Sequence, residues 1–169
     1  MSSGNMNRLR AKELVSLLPG VHLRELQRLM NASFNTTRYH VYNLERDGEI
    51  VRAEEGGYSR LYPAGLEGRS RSLFSVLHSK GTRQVLRALL GGEQMGNADI
   101  SGATEMPRST VSEHLELLCR SGLIKRTVTL GGGAVYSVED RSGVGEALAV
   151  FERNLLTVAA DSFIDLWEF

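Results

Sequence analysis

Apolar residues recur along this chain at three- and four-residue steps, in stretches separated by short alternating runs. Residues 7–18 carry Leu9, Leu14, Val15, Leu17 and Leu18, a loosely helical spacing closed by Pro19-Gly20. Residues 22–31 predict a short helix with Leu23, Leu26, Leu29 and Met30 inward. After a turn at 31–34, Asn35 reads as the N-cap of a third helix with Val41 and Leu44 in the core, and Gly48 as its stop. Ile50 to Glu54 and Tyr58 to Tyr62 alternate as strands around a tip at Glu55-Gly56-Gly57. The order then repeats. Leu73, Phe74, Val76 and Leu77 open a second unit, and Thr82 to Leu90 predict a helix ended by Gly91-Gly92. Asn97 reads as the cap of a short helix with Ile100 and Ala103 inward, and Pro107 sits at a helix start. Helix 108–121 buries Val111, Leu115 and Leu118, and Leu123–Leu130 and Ala134–Val138 form strands around Gly131-Gly132-Gly133.

The two halves align residue by residue. At a shift of 74, Thr36 falls on Thr110, His40 on His114, Leu44 on Leu118, Arg46 on Arg120, Gly48 on Gly122 and Ile50 on Ile124. Upstream, 13–20 matches 85–92 at a shift of 72; downstream, Tyr58-Ser59 matches Tyr136-Ser137 at a shift of 78. Repeats of this period are supersecondary units used twice. The fold class expected is mainly α with small β-hairpins (α+β): two tandem winged helix-turn-helix domains plus a C-terminal amphipathic helix. The boundaries read are 1–63 for the first domain, 64–72 for a Gly/Ser/Arg linker, 73–140 for the second domain, and 141–169 for the C-terminal helix. That last segment has no counterpart after the first unit. Val144, Leu148, Phe151, Leu155, Val158, Ala159, Phe163, Leu166 and Trp167 follow helical steps, with a break expected near Ala160. An amphipathic helix this long needs a partner surface. The expectation is a homodimer formed through Leu148, Phe151, Leu155, Phe163 and Trp167.

Composition changes the picture in three ways. With 169 residues, 41% hydrophobic, each half is near the lower size limit for its own core. No apolar run approaches the roughly 20 residues that span a bilayer, the N-terminus lacks a signal-peptide core, and one cysteine excludes an internal disulfide framework. These features point to a cytoplasmic protein. The net charge is zero but unevenly spread. Residues 1–127 hold 18 Lys/Arg against 13 Asp/Glu, a net of +5, and residues 128–169 are −5. The basic part contains both candidate reading helices, as DNA binding requires.

In a helix-turn-helix the third helix presents its N-terminal residues to base edges. With Val111, Leu115 and Leu118 inward, the outward set is Arg108, Ser109, Thr110, Ser112, Glu113 and Glu116; in the first copy it is Asn35, Thr36, Arg38, Tyr39 and Tyr42. Arg pairs with guanine, and Asn, Ser and Thr suit adenine or phosphate. Arg52 and Arg60 flank the first wing, and Lys125, Arg126 and Thr129 lead into the second. Arg69, Arg71, Lys80 and Arg83 could track the backbone. His114, with His40 at the same place in the other copy, reads as a partly buried histidine that bonds near the helix turn or to a phosphate. No second ligand stands at metal spacing from either histidine, and Cys119 reads as a packing residue. Gly131–Gly133 is a hairpin tip, since no Lys and no helix follow it as a phosphate loop demands. No nucleophile motif, carboxylate pair or nucleotide-binding pattern indicates an enzyme, and no cofactor is implied.

The stretch PRSTVSEHLELLCRSGLIKR, followed by GAVYSV, resembles the reading helix and wing of ArsR-type and MarR-type bacterial and archaeal regulators. Their pattern is met by Ser109, Ser112, His114, Leu115, Leu118, Gly122, Leu123, Ile124, Tyr136 and Val138. The resemblance spans about residues 73–140. The first unit is a looser match through Thr36, His40, Leu44, Gly48, Ile50 and Tyr58, and the tandem layout looks like regulators common in archaea. It implies a sequence-specific regulator of double-stranded DNA, reading the major groove with helices 35–47 and 108–121. Metal-sensing members carry cysteines before the reading helix; NADISGATEM has none, so that function is not carried over. A small-molecule effector remains open and unidentified. The competing expectation is a tandem winged-helix adaptor that assembles proteins without DNA specificity. Zero net charge and the outward acids Glu113 and Glu116 favour it.

Overall fold

A computed structural model describes residues 3–55 and 57–164. In chain order the elements are α1 (Ser3–Leu17), α2 (Leu23–Met30), α3 (Phe34–Arg46), β1 (Ile50–Glu55), β2 (Tyr58–Pro63), α4 (Gly68–Leu77), α5 (Lys80–Gly91), β3 (Met95–Gly96), α6 (Asn97–Thr104), α7 (Arg108–Arg120), β4 (Ile124–Val128), β5 (Ala134–Val138) and α8 (Arg141–Ile164). The fold is mainly α with small antiparallel sheets. They group into two compact units, one of Met1–Ser75 with Val150–Phe169 and one of Val76–Ala149.

In the first unit, Ala11, Leu14, Val15 and Leu18 are buried at the i, i+3, i+4, i+7 steps of one helical face. Leu26 of α2, Val41 and Leu44 of α3, and Ile50, Leu61 and Tyr62 of the hairpin complete that core. Burying each Val, Leu or Ile among them stabilises by about 1.5–3 kcal/mol. β1 pairs β2 from Ile50↔Pro63 to Glu55↔Tyr58, and an isolated bridge joins Val21 to Leu61. The end of α8 belongs here. Asn154 Nδ2 donates to the carbonyl of Leu17 at 2.9 Å, Arg10 pairs with Asp161 at 3.6 Å, and the buried Phe151 ring lies 6.3 Å from that of Phe74.

The second unit is a winged helix-turn-helix. Val85, Leu86 and Leu89 of α5, Ile100 of α6, and Val111, Leu115 and Leu118 of α7 form its core, with Leu123, Ile124 and Val138 from the wing side and Val144 and Leu148 from α8. Its sheet has the order β3-β5-β4. Arg141 closes the C-terminus of α5, donating to the carbonyls of Leu89 (3.2 Å), Leu90 (2.5 Å) and Gly92 (2.7 Å). These carbonyls lack intrahelical partners, and a cation is favoured at a helix C-terminus.

The internal repeat is more regular in three dimensions than in sequence. α2 and α6 have eight residues each, α3 and α7 thirteen each, and each pair starts 74 positions apart. The ends of α1 and α5 (Leu17, Gly91), the left-handed closures Asn31 (φ 49°) and Glu105 (φ 56°), and the turns Gly48 (φ +69°) and Gly122 (φ +71°) keep the same offset. So do Val21 and Met95, which add a third strand position beside the hairpins. The upstream shift of 72 is therefore corrected to 74. Downstream, Ile50 faces Pro63 and Ile124 faces Val138, an offset of 75, so Tyr136 corresponds to Leu61 and not to Tyr58. The matching Tyr-Ser pairs are a coincidence of letters, because strand register decides equivalence.

Other expectations change too. Residues 64–72 are not an extended linker: Gly68 opens α4, whose Val76 and Leu77 are buried. The two compact units divide within α4 and within α8. α8 runs unbroken past Ala160. Ser33, not Asn35, caps α3, with extended backbone and its Oγ accepting from Thr36 N at 3.1 Å. The strand β3, two residues of Met and Gly, carries too little pattern to be read from sequence.

Candidate nucleic-acid interface

α7 packs its buried stripe against α5 and α6, which turns Arg108, Ser109, Ser112, Glu113 and Glu116 to solvent and leaves Thr110 half-buried. Its N-cap is Pro107, which makes no side-chain cap bond, so the first-turn amides are not closed by a cap. On β4 the side chains of Lys125, Arg126, Thr127 and Val128 are all exposed. The tip closes through Thr129 N to Gly133 O (2.8 Å) and Gly132 N to Thr129 O (2.9 Å), with Gly132 at φ +81°. The side chains of Arg108, Lys125 and Arg126 form no hydrogen bond or ion pair with any described residue, whereas Glu116 faces Arg120 at 4.0 Å. The unit thus presents three uncommitted cations on a helix start and a wing.

Two residues of the expected reading set are engaged internally. The Ser112 hydroxyl donates to the carbonyl of Arg108 (2.9 Å) and accepts from Asn97 Nδ2 (2.8 Å). His114 faces inward: its Nδ1 lies 3.1 Å from Thr82 Oγ1, and its ring rests so closely on Gly81 that a Cβ there would stand 2.3 Å from Nε2. His114 packs against α5, because its position on α7 points back to that helix.

The first unit arranges the same positions differently. Asn35, Arg38, Tyr39 and Tyr42 are exposed on α3, the two tyrosines at 63% each. Thr36 is tied into the cap, its hydroxyl 2.8 Å from Ser33 Oγ. Arg24 lies 4.2 Å above the Phe34 ring. The wing cations are engaged within the fold. Arg52 bonds Glu45 through both nitrogens of one edge, at 2.9 and 3.0 Å, and Arg60 Nη1 donates to the Gly20 carbonyl at 2.8 Å. Arg71 and Arg83 likewise hold the carbonyls of Leu66 (2.9 Å) and Leu77 (2.6 Å). Arg8 joins Asp47 (2.8 Å) and Glu49, Lys12 joins Glu49 (2.5 Å), and Arg46 joins Asp47 (3.0 Å). Arg46 and then Arg8 hold the Asp47 carboxyl below its ordinary range; Lys12 and then Arg8 do so for Glu49. His40 is buried, and burial, reinforced by Arg8, pushes its pKa down.

The C-terminal helix departs from expectation as well. Leu148 and Phe151 are buried within the chain, so neither is available to a partner; Leu155 is half-buried and Leu156 is 73% exposed. The side chains of Phe163 and Trp167 lie outside the described residues. Cys119 is half-buried, and burial raises its thiol pKa although Arg126 opposes the rise. Among the described residues no group of three or more His, Cys, Asp or Glu could hold a metal ion, and no helix is long and apolar enough to cross a membrane.

Residues 79–126, from the N-cap of α5 into β4, match the family described as bacterial regulatory protein, arsR family. The second unit is therefore ArsR-like over its helix-turn-helix, as its motif implied. Among curated proteins nothing matches. Solved structures with similarity include a MarR family transcription regulator (18% identity, 78% of this chain and 77% of that one, TM-score 0.44). A possible transcriptional regulator from Methanosarcina mazei Go1 follows (13%, 70% and 97%, 0.37). A homodimeric winged helix-turn-helix DNA-binding domain from Mycobacterium bovis, a possible ArsR-family regulator, is similar at 24% (63% and 97%, 0.35).

Proposed function

We propose that this protein is a transcription regulator that binds double-stranded DNA sequence-specifically. In this reading α7 enters the major groove and the β4–β5 wing contacts the backbone or minor groove. The observation that carries it is the trio of uncommitted cations, Arg108, Lys125 and Arg126, around the outward face of an arsR-matching helix. Uncapped first-turn amides beside Arg108 and Ser109 add a place for a phosphate. The first unit, with the same order of elements, acts as a second winged helix and contributes Asn35, Arg38 and Tyr39. Two chains pair through the solvent face of α8 around Leu155 and Leu156, since such a face of a long helix favours a partner.

One observation favours the adaptor reading for the first unit alone: Tyr39 and Tyr42 stand exposed one turn apart, and tyrosines of this kind anchor protein interfaces. Titration with random-sequence duplex and with genomic fragments carrying the protein's own upstream region separates the readings. A regulator binds all duplexes at low salt, loses affinity steeply as salt rises, and retains one fragment. No binding at low salt would overturn the proposal.

A further inference from the structure

Asn97 is the first residue of α6, and its side chain leaves its own helix to reach α7. Nδ2 donates to the carbonyl of Arg108 at 3.1 Å and to Ser112 Oγ at 2.8 Å. Ser112 in turn donates to that same carbonyl at 2.9 Å. One amide group thus closes a three-membered network on the first turn of α7. The network holds the backbone of Arg108, whose side chain is uncommitted. Asn97 Oδ1 is buried without a hydrogen-bond partner among the described residues. An orphaned acceptor of this kind costs stability and offsets the two Nδ2 hydrogen bonds, so an apolar side chain of the same shape is expected to be nearly neutral for stability. The equivalent helix, α3, is fastened locally by Ser33; α7 has no such cap, and its start is held from α6.

We infer that Asn97 is a positioning residue for DNA recognition, fixing the first turn of α7 so that Arg108 meets its base or phosphate in one orientation. This deepens the regulator reading and rests on it. Ser112 then serves the network and does not read a base. The geometry needs a donor at position 97, which neither leucine nor aspartate provides. Aspartate also suits the first turn of a helix electrostatically, so a role confined to the stability of α6 predicts that it is harmless.

The test measures binding of full-length wild type, Asn97→Leu and Asn97→Asp to the retained genomic fragment and to random duplex, with thermal melting of each. The expected result is a loss of roughly tenfold in affinity for the fragment in both variants, the size of effect expected when hydrogen bonds to a fixed carbonyl are removed. Affinity for random duplex stays within about twofold and the salt slope is unchanged, because the phosphate-binding cations remain. Melting of Asn97→Leu stays close to wild type. The inference fails if Asn97→Asp binds the fragment as wild type does, or if fragment and random duplex weaken together in both variants. If the leucine variant does not fold, the aspartate variant alone decides. Absence of a preferred fragment for wild type would instead overturn the regulator reading itself.

Discussion

α3 and α7 occupy the same place in units of the same order, have the same length, and end on glycines of the same conformation. Their surroundings differ. Around α3, Arg8, Arg46, Arg52 and Arg60 are all bonded to carboxylates or carbonyls, and the helix start is closed by Ser33. Around α7, Arg108, Lys125 and Arg126 are uncommitted and the start lacks a cap. The difference teaches that the repeat preserved a scaffold while the two surfaces acquired different chemistry. A cation already paired within the fold has little to offer a phosphate, so a count of basic residues per unit misleads.

The largest effect should come from removing the uncommitted set. Arg108→Ala/Lys125→Ala/Arg126→Ala is expected to weaken duplex binding at least about a hundredfold and to flatten the salt slope by about 3. Arg52→Ala/Arg60→Ala should leave that slope alone and lower stability by roughly 1–2 kcal/mol, mostly through the Gly20 carbonyl. Equal loss of binding in the two variants, in titrations at several salt concentrations, would erase the distinction between the units.

Next in size is Gly81→Ala. Gly81 is the second residue of α5, where alanine would ordinarily be at least as good a helix former as glycine. Here its Cβ would collide with the His114 ring, so the sign reverses and the second unit should lose roughly 1–3 kcal/mol in denaturant unfolding. In the first unit the equivalent position is Asn7, which shows that the two histidine sites are built differently. An unchanged or raised midpoint would mean that His114 moves aside freely.

The smallest effect is in pH. His40 has a folded pKa below its ordinary value of about 6.5. The unfolded chain therefore takes up a proton that the fold resists. The first unit keeps this contribution above that pH and loses it as pH falls from there through the folded value. Asp47 and Glu49, also held low, add a further loss at more acidic pH, below the ordinary carboxylate range. Hydrogen exchange of α3 amides between pH 7 and 5 should show the first loss, and His40→Gln should remove it. A slope that persists in the variant would acquit His40.

Much of this protein was legible in the sequence. The apolar steps of α3, α7 and their hairpins, the Gly48 and Gly122 turns, and the repeat at 74 are local or periodic properties that short-range sterics and burial impose on neighbouring residues. The outward placement of Arg108 and Ser109 followed from the buried stripe of Val111, Leu115 and Leu118. What escaped were residues whose roles depend on distant partners. The surroundings of His114 are set by Gly81 and Thr82 of α5, which lie beneath it from 33 and 32 positions earlier. Leu148 and Phe151 looked like a partner's seam but are filled by the chain's own core. Asn97 looked like a cap, yet its amide reaches α7, 11 and 15 positions away. Arg141 gave no sign of closing α5. The sequence by itself determined which segments become helix or hairpin and that they do so twice. Only the tertiary structure decided which charges are spent inside the fold and which remain for a ligand, because hydrogen-bond and ion-pair partners are chosen by proximity in space.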